Sequence, residues 1–375
     1  MGAVCLFDDV ASGHHPRFTA ELVRGTLLRG RRCLVACPDL EEELAVRPDV
    51  VWLRVAAGAL RKPAGGHRML RKALLACRRQ SVEAFWDLYL DKNVWALPRG
   101  LKTVEVRVHV LHAVNQYQYQ DRDTIGKLRT AFLRRRLETL TSDGAVIVVH
   151  TRHAFDVLAG FLPTGRLLHV GYPVETPDPI PDRRMDGDLR LLFVGEARRQ
   201  KGLFELLEAM EMLRQDIGLD VVGPQPPGLR DLVTTKHPTL DIRWIDRFVT
   251  DTELRQAFHH NHLVALPYQT VFRVRGGASG VLLQALSEGV PLVTTPSLAG
   301  QLPDGYGGAL VAASDTAEAL ADALTRAVDR ISELATSAAI EGPAFVKAFH
   351  TFDRYVDALL RIDGTGPMTP SWNAP

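Results

Sequence analysis

Three segments in the second half of the chain carry residues whose type and spacing suit a phosphorylated ligand. In LRLLFVGEARRQKGLFELLEAM (189–210) an apolar run ends at Gly195 and a helical pattern opens at Gly202, with Arg198, Arg199 and Lys201 in the turn between them. Glycines let a backbone approach closely, and cations at a helix N-terminus make a site for a diphosphate. In RGGASGVLLQALSEGVPLVTT (275–295) the residues Gly276, Gly277, Ser279 and Gly280 lead into an apolar helix that ends at Gly289 and Pro291. Small residues there expose the first backbone N–H groups, those of Gly280 and Val281 among them, at the positive end of the helix dipole. Glycine also serves tight helix–strand packing, so such a turn means little by itself. Gln284, one turn into that helix, has an amide that reaches ribose hydroxyls as donor and acceptor. The third segment, LVALPYQTVFR (263–273), ends its apolar run at Pro267 and Tyr268, where an aromatic ring either packs or lies against a nucleotide base or sugar.

The first half offers histidines. Ser12, Gly13, His14 and His15 follow the first apolar run and are expected to face a cleft. His109 and His112 lie in VEVRVHVLHAV, and His150, Thr151 and Arg152 follow another apolar run, which makes Arg152 a further acceptor-side candidate. A histidine on a strand is as readily a satisfied core group as a functional one.

These residues need a scaffold that gathers the ends of apolar runs. Short β-branched runs alternate with longer helical patterns throughout, the pattern of βαβ units around a parallel sheet, in which ligands bind beyond the strands' carboxyl ends. Near Glu175 the alternation breaks into ETPDPIPDRRMDGD and then restarts, which predicts two α/β domains, residues 1–175 and 189–345. A helical stretch follows from about residue 316, with the terminal helix expected over 346–365.

At 375 residues two cores are expected, and no apolar run is long enough to span a bilayer. Acids at Asp8 and Asp9 argue against a leader peptide, and the expected location is the cytoplasm. Cys5, Cys33, Cys37 and Cys77 form no CxxC pair and read as reduced thiols. Residues 1–180 hold 26 Lys/Arg against 19 Asp/Glu, whereas 181–375 hold 19 against 25. The basic half suits an anionic acceptor or peripheral contact with a membrane face. Basic residues are not interleaved with aromatics in a nucleic-acid module, and no GxGxxG follows an early strand, so nucleic-acid binding and dinucleotide chemistry are disfavoured.

With these residues in view, the second half resembles the family 4 retaining glycosyltransferases. Gly195, Lys201 and Gly202 match that family's strand–GR(x4)KG pattern, and GVLLQALSEGVPLVTT matches its G-[VL]-x-L-x-E-A-x-x-x-G-x-P-V-V block, over roughly 189–300. The resemblance implies a GT-B fold: two facing Rossmann-like domains with an interdomain cleft, an acceptor-binding N-terminal domain, a nucleotide-sugar-binding C-terminal domain, and a last helix that crosses back. It implies transfer from a UDP- or GDP-sugar to an acceptor hydroxyl with retention, Arg198 and Lys201 holding the leaving diphosphate, and no metal or other cofactor. It also implies Gly13 near the donor phosphate, His14 or His15 near the acceptor, and a histidine near the transferring sugar, either His109 or His112. The acceptor class, a sugar, natural product or lipid-linked molecule, and the oligomeric state stay open. The family's Glu-x7-Glu pair falls on Gly276 and Gln284, and the Arg after Gly195 is Glu196, so Arg198 is expected to supply that charge. The missing carboxylates keep a non-catalytic nucleotide-sugar-binding partner open as an alternative, and a sugar-nucleotide epimerase on the same fold is a third reading.

Overall fold

In the computed structural model the described residues are 2–11, 15–56, 63–95, 104–119, 122–177 and 187–362. They form two compact units, one taking in the chain to Tyr172 and again from Phe352, the other Pro173–Thr351.

The first unit runs β1 (Ala3–Phe7), α1 (His15–Leu28), β2 (Arg32–Cys37), α2 (Glu42–Ala45), β3 (Val50–Arg54), α3 (Pro63–Arg79), β4 (Val82–Asp87), α4 (Leu90–Asn93), β5 (Val106–Leu111), α5 (Thr124–Ser142), β6 (Val146–Val149), α6 (Arg152–Ala159) and β7 (Leu167–His169). Its seven strands pair in the order β3-β2-β1-β4-β5-β6-β7, all parallel. β1 and β6 are buried at every position, which is why these segments read as unbroken apolar runs instead of alternating ones.

The second unit runs β8 (Arg190–Val194), α7 (Leu203–Glu211), β9 (Gly218–Val222), α8 (Leu229–Lys236), β10 (Ile242–Ile245), α9 (Asp251–His260), β11 (Leu263–Leu266), α10 (Thr270–Arg275), α11 (Gly280–Ser287), β12 (Leu292–Thr294), α12 (Pro296–Ala299), β13 (Ala309–Val311), α13 (Ala317–Asp329) and α14 (Ile331–Phe349). Its six strands pair in parallel in the order β10-β9-β8-β11-β12-β13. The order reverses direction between β1 and β4 in one sheet and between β8 and β11 in the other, and ligand crevices open at such switch points.

The last helix, α15 (Phe352–Leu360), packs on the first unit. Tyr355, Val356 and Leu359 are buried in the core of that unit, and each fully buried apolar side chain contributes about 1.5–3 kcal/mol. Gly25 on α1 permits the approach, since a methyl there would lie 2.9 Å from Val356 Cγ2. Arg29 adds charged bonds to Asp357 (2.5 Å) and Asp353 (3.1 Å).

The boundaries differ from the sequence expectation in two places: the first unit ends at Tyr172 and not at Glu175, and the last helix begins later than residue 346. Gly342 and Pro343 would ordinarily interrupt a helix, yet α14 continues through them to Phe349, so residues 346–351 belong with the second unit and the crossing helix starts at Phe352. Gly342 is needed inside that helix, because a side chain there would strike the Leu286 carbonyl of α11. Of the expected linker, residues 178–186 lie outside the described residues.

Candidate functional site

The carboxyl edge of the second sheet is built largely from backbone. β8 ends at Val194, and Gly195 turns the chain with φ 101°, a conformation that strains any side chain. A single 3-10 turn, Arg199–Lys201, then delivers the chain to Gly202, whose φ of 70° starts α7. A Cβ on Gly202 would collide with the Pro267 carbonyl oxygen, so only glycine lets this turn lie against the end of β11. The Gln269 N–H donates to Gln200 O (3.0 Å), tying the two turns together.

Lys201 points into this junction. Its Nζ donates to Val194 O (3.1 Å) and lies 5.6 Å from the centre of the Tyr268 ring. The Tyr268 hydroxyl in turn lies 3.5 Å from Ser279 Oγ, and Ser279 caps α11 by accepting from Leu282 N (3.2 Å). The cation-bearing turn and the glycine-started helix therefore meet on one edge, with Tyr268 between them. Tyr268 is only 2% exposed, so its ring packs and leaves no face for a base. In the opening turn of α11 the N–H groups of Gly280 and Val281 are the ones that the cap does not use. Gly276, with φ 74°, ends α10, and Gln284 sits half-buried in the second turn of α11.

Two glutamines that the sequence did not single out hold these turns. Gln225 Oε1 accepts from Ala197 N (2.9 Å), while its Nε2 donates to Gly195 O (3.0 Å) and Gly223 O (2.8 Å). Its own backbone N–H donates to Asp246 Oδ1 (2.6 Å). Gln301 does the same for the other turn, donating to Gly277 O (3.1 Å) and accepting from Ser279 N (2.9 Å). The signal for Gln225 was its place just past Gly223, at the carboxyl end of β9; nothing local distinguishes Gln301.

Arg198 is less available than expected. Its Nε and Nη2 both donate to Glu196 Oε2, at 2.8 and 2.6 Å, so the residue standing where the family has arginine occupies the nearby cation.

The carboxyl edge of the first sheet is built from side chains. Asp8, after β1, accepts from His15 Nδ1 (2.8 Å), Val10 N (3.0 Å) and Thr19 Oγ1 (3.4 Å). His15 packs edge-on against Tyr89, with centroids 4.7 Å apart. Asp87, ending β4, bonds His109 Nδ1 (3.0 Å), Asn93 Nδ2 (2.5 Å) and Tyr89 N (3.3 Å). His109 is wholly enclosed, so it supports this edge from within the core and touches nothing beyond it.

His112 belongs to the ring cluster, 5.3 Å from Tyr89, 6.0 Å from His15, 5.1 Å from His150 and 6.4 Å from Tyr172. Its backbone N–H donates to Asp91 Oδ2 (2.8 Å), and its Nε2 lies 2.9 Å from Leu88 O, which makes Nε2 the protonated nitrogen of the neutral ring. Burial lowers its pKa against the pull of Asp91, and burial raises that of Asp91. Of the two strand histidines, then, His112 is the one at the cluster. His150 is buried with Nδ1 3.1 Å from Val170 O. Arg152 sits exposed on α6, bonded to Asp156 (2.9 Å), outside this cluster's ring contacts. Gly13 and His14 lie outside the described residues. Among the described residues no group of three His, Cys, Asp or Glu is placed to hold a metal ion, and no helix is long and apolar enough to cross a membrane.

Residues 188–330, the region of the Lys201 and Gly280 turns, match the family model described as Glycosyl transferases group 1. No curated protein matches the chain. Among solved structures it is similar to a sucrose-phosphate synthase from Thermosynechococcus elongatus (TM-score 0.71, 15% identity, 96% of this chain and 98% of that one). It is also similar to a glycosyltransferase from Rickettsia africae (0.72, 12%, 96% and 98%) and to Anabaena HepE in complex with UDP-glucose (0.67, 13%, 96% and 99%). The two parallel-sheet α/β units are thus those of the GT-B fold.

Proposed function

We propose that the chain is a glycosyltransferase that moves a sugar from a nucleoside diphosphate donor, of the UDP or GDP type, onto an acceptor hydroxyl with retention of configuration. The observation that carries this reading is the joining of Lys201, Tyr268 and Ser279 at the β8/β11 switch point, which sets a fixed cation beside a helix N-terminus. That pair of features is what a departing diphosphate needs, since charge developing on the leaving group is stabilised by donors already in place. UDP is the preferred donor nucleotide, in line with the UDP and UDP-glucose complexes of HepE.

In this reading Lys201, the N–H groups of Gly280 and Val281, and Arg198 once released from Glu196 hold the diphosphate, and Gln284 holds the ribose. Acceptor attack on the same face, with the donor phosphate taking the hydroxyl proton, requires no dedicated protein base. Because fixed cations and dipoles supply the charge, the reaction is proposed to run without metal. The acceptor binds to the first unit, where His15, Tyr89 and His112 meet.

Melting curves with UDP, GDP, TDP and their sugars test the donor, since a ligand bound only by the native state raises the midpoint. Donor hydrolysis and transfer compared with Lys201→Ala test the chemistry, with a loss of roughly 10²–10³-fold expected from removing one stabilising donor. Gly276 and Gln284, in place of two carboxylates, favour a second reading as a non-catalytic nucleotide-sugar binder. Tight UDP binding without turnover on any donor would select it.

A further inference from the structure

The first two turns of α5 present an apolar face to solvent. Ile125, Leu128 and Phe132 are 76%, 67% and 47% exposed, and their spacing puts them on one stripe, about a third of the way round the helix from the buried Leu133, Leu137 and Leu140. Trp95, 40% exposed, stacks on Phe132 with ring centres 5.2 Å apart and planes 15° from parallel. A helix that already buries one apolar side has no need of a second, and large contiguous apolar patches on a surface mark contact sites.

Charge identifies the partner. The segment TIGKLRTAFLRRRL (124–137) holds five cations and no acid. Lys127 and Arg129 are exposed on the two flanks of the stripe, and Arg135 continues the face one turn further. The Arg129 guanidinium lies 5.3 Å over the Trp95 ring. Apolar and aromatic groups ringed by cations on one helix face fit an anionic bilayer, where rings and aliphatic chains enter the acyl boundary and cations meet phosphate.

We infer that this face of α5, with Trp95, is a docking surface for an anionic lipid bilayer. Trp95 follows β4 and α5 follows β5, so the surface adjoins the strand edge that carries Tyr89 and His112. It places that edge at the membrane, where an acceptor carried on a lipid presents its hydroxyl. Only this last step rests on the transferase reading.

The test is flotation of the full chain with vesicles of phosphatidylcholine alone and of phosphatidylcholine with phosphatidylglycerol. Binding is expected to the second kind only and to fall with added salt. Arg129→Glu with Arg135→Glu should lower partitioning at least tenfold, at roughly fivefold per cation. Leu128→Ser with Phe132→Ser should abolish it while the melting midpoint and the response to UDP stay unchanged. A UDP response without vesicle binding overturns the docking surface and leaves the transferase reading standing. Equal binding by all variants, or a concentration-dependent dimer that the serine variant dissolves in the absence of lipid binding, also overturns it.

Discussion

The carboxyl edges of the two sheets solve the same problem with different materials. At β8 and β11 the geometry is set by main chain: Gly195 and Gly202 in left-handed conformations, the α11 N-terminus, and glutamine amides bonded to peptide groups. At β1, β4 and β5 it is set by buried side chains, with Asp8 and Asp87 each gathering three donors around histidines and a tyrosine. A main-chain edge presents the same groups whatever occupies most side-chain positions, which suits a shared feature such as a diphosphate. A side-chain edge is reshaped by single substitutions, which suits an acceptor that differs from enzyme to enzyme.

The contrast can be broken by substitution. Gly202→Ala should cost upward of about 3 kcal/mol, from left-handed strain and a collision with backbone, and should abolish the UDP response. Gly228→Ala, with similar φ but open space around it, should cost only about 1 kcal/mol; equal urea midpoints for the two would show that the Gly202 contact is not what the second edge depends on. Asp87→Ala strands two buried donors, on Asn93 and His109, and the half-buried Tyr89 N–H in the first unit and should cost about 3 kcal/mol, with UDP binding preserved. Gln225→Ala removes three bonds at 2.8–3.0 Å and should lose about 1–3 kcal/mol, read as a weaker UDP thermal shift. Gln225→Glu should not rescue it, because a carboxylate cannot donate to the Gly195 and Gly223 carbonyls.

The smallest effect concerns pH. Burial lowers the pKa of His112 and of His169, so the folded chain keeps both neutral while the unfolded chain takes up protons first as pH falls. Stability should therefore decline as pH drops through about 6.5, the ordinary histidine value. Asp91, pushed upward by burial, acts in the opposite sense, over a range that begins at the ordinary carboxylate value and extends above it. Urea midpoints between pH 7.5 and 5.5 should slope less for His112→Asn.

This division of materials also decides what the sequence discloses. Gly195, Gly202 and the Ser279–Gly280 helix start are legible because few residues satisfy a positive φ or a helix cap, so type and spacing carry the geometry. Alternating apolar runs likewise disclose two parallel-sheet units. Gln225, Gln301 and Asp87 are illegible because their partners are set by tertiary folding, and the choice between His109 and His112 rests on the core enclosing the position within β5 and not the one just past its end. Pro343 shows local propensity overridden: packing of Gly342 on α11 keeps the helix intact through a residue that usually stops one.

The bond from Arg29 to Asp357 joins residues 328 positions apart. During synthesis from the N-terminus, α1 waits for Phe352–Leu360 to emerge before it is covered, whereas the second unit, Pro173–Thr351, is one continuous stretch that can close beforehand. The first unit's exposed α1 surface is then a standing hazard on the ribosome, and removal of α15 would make that nascent condition permanent.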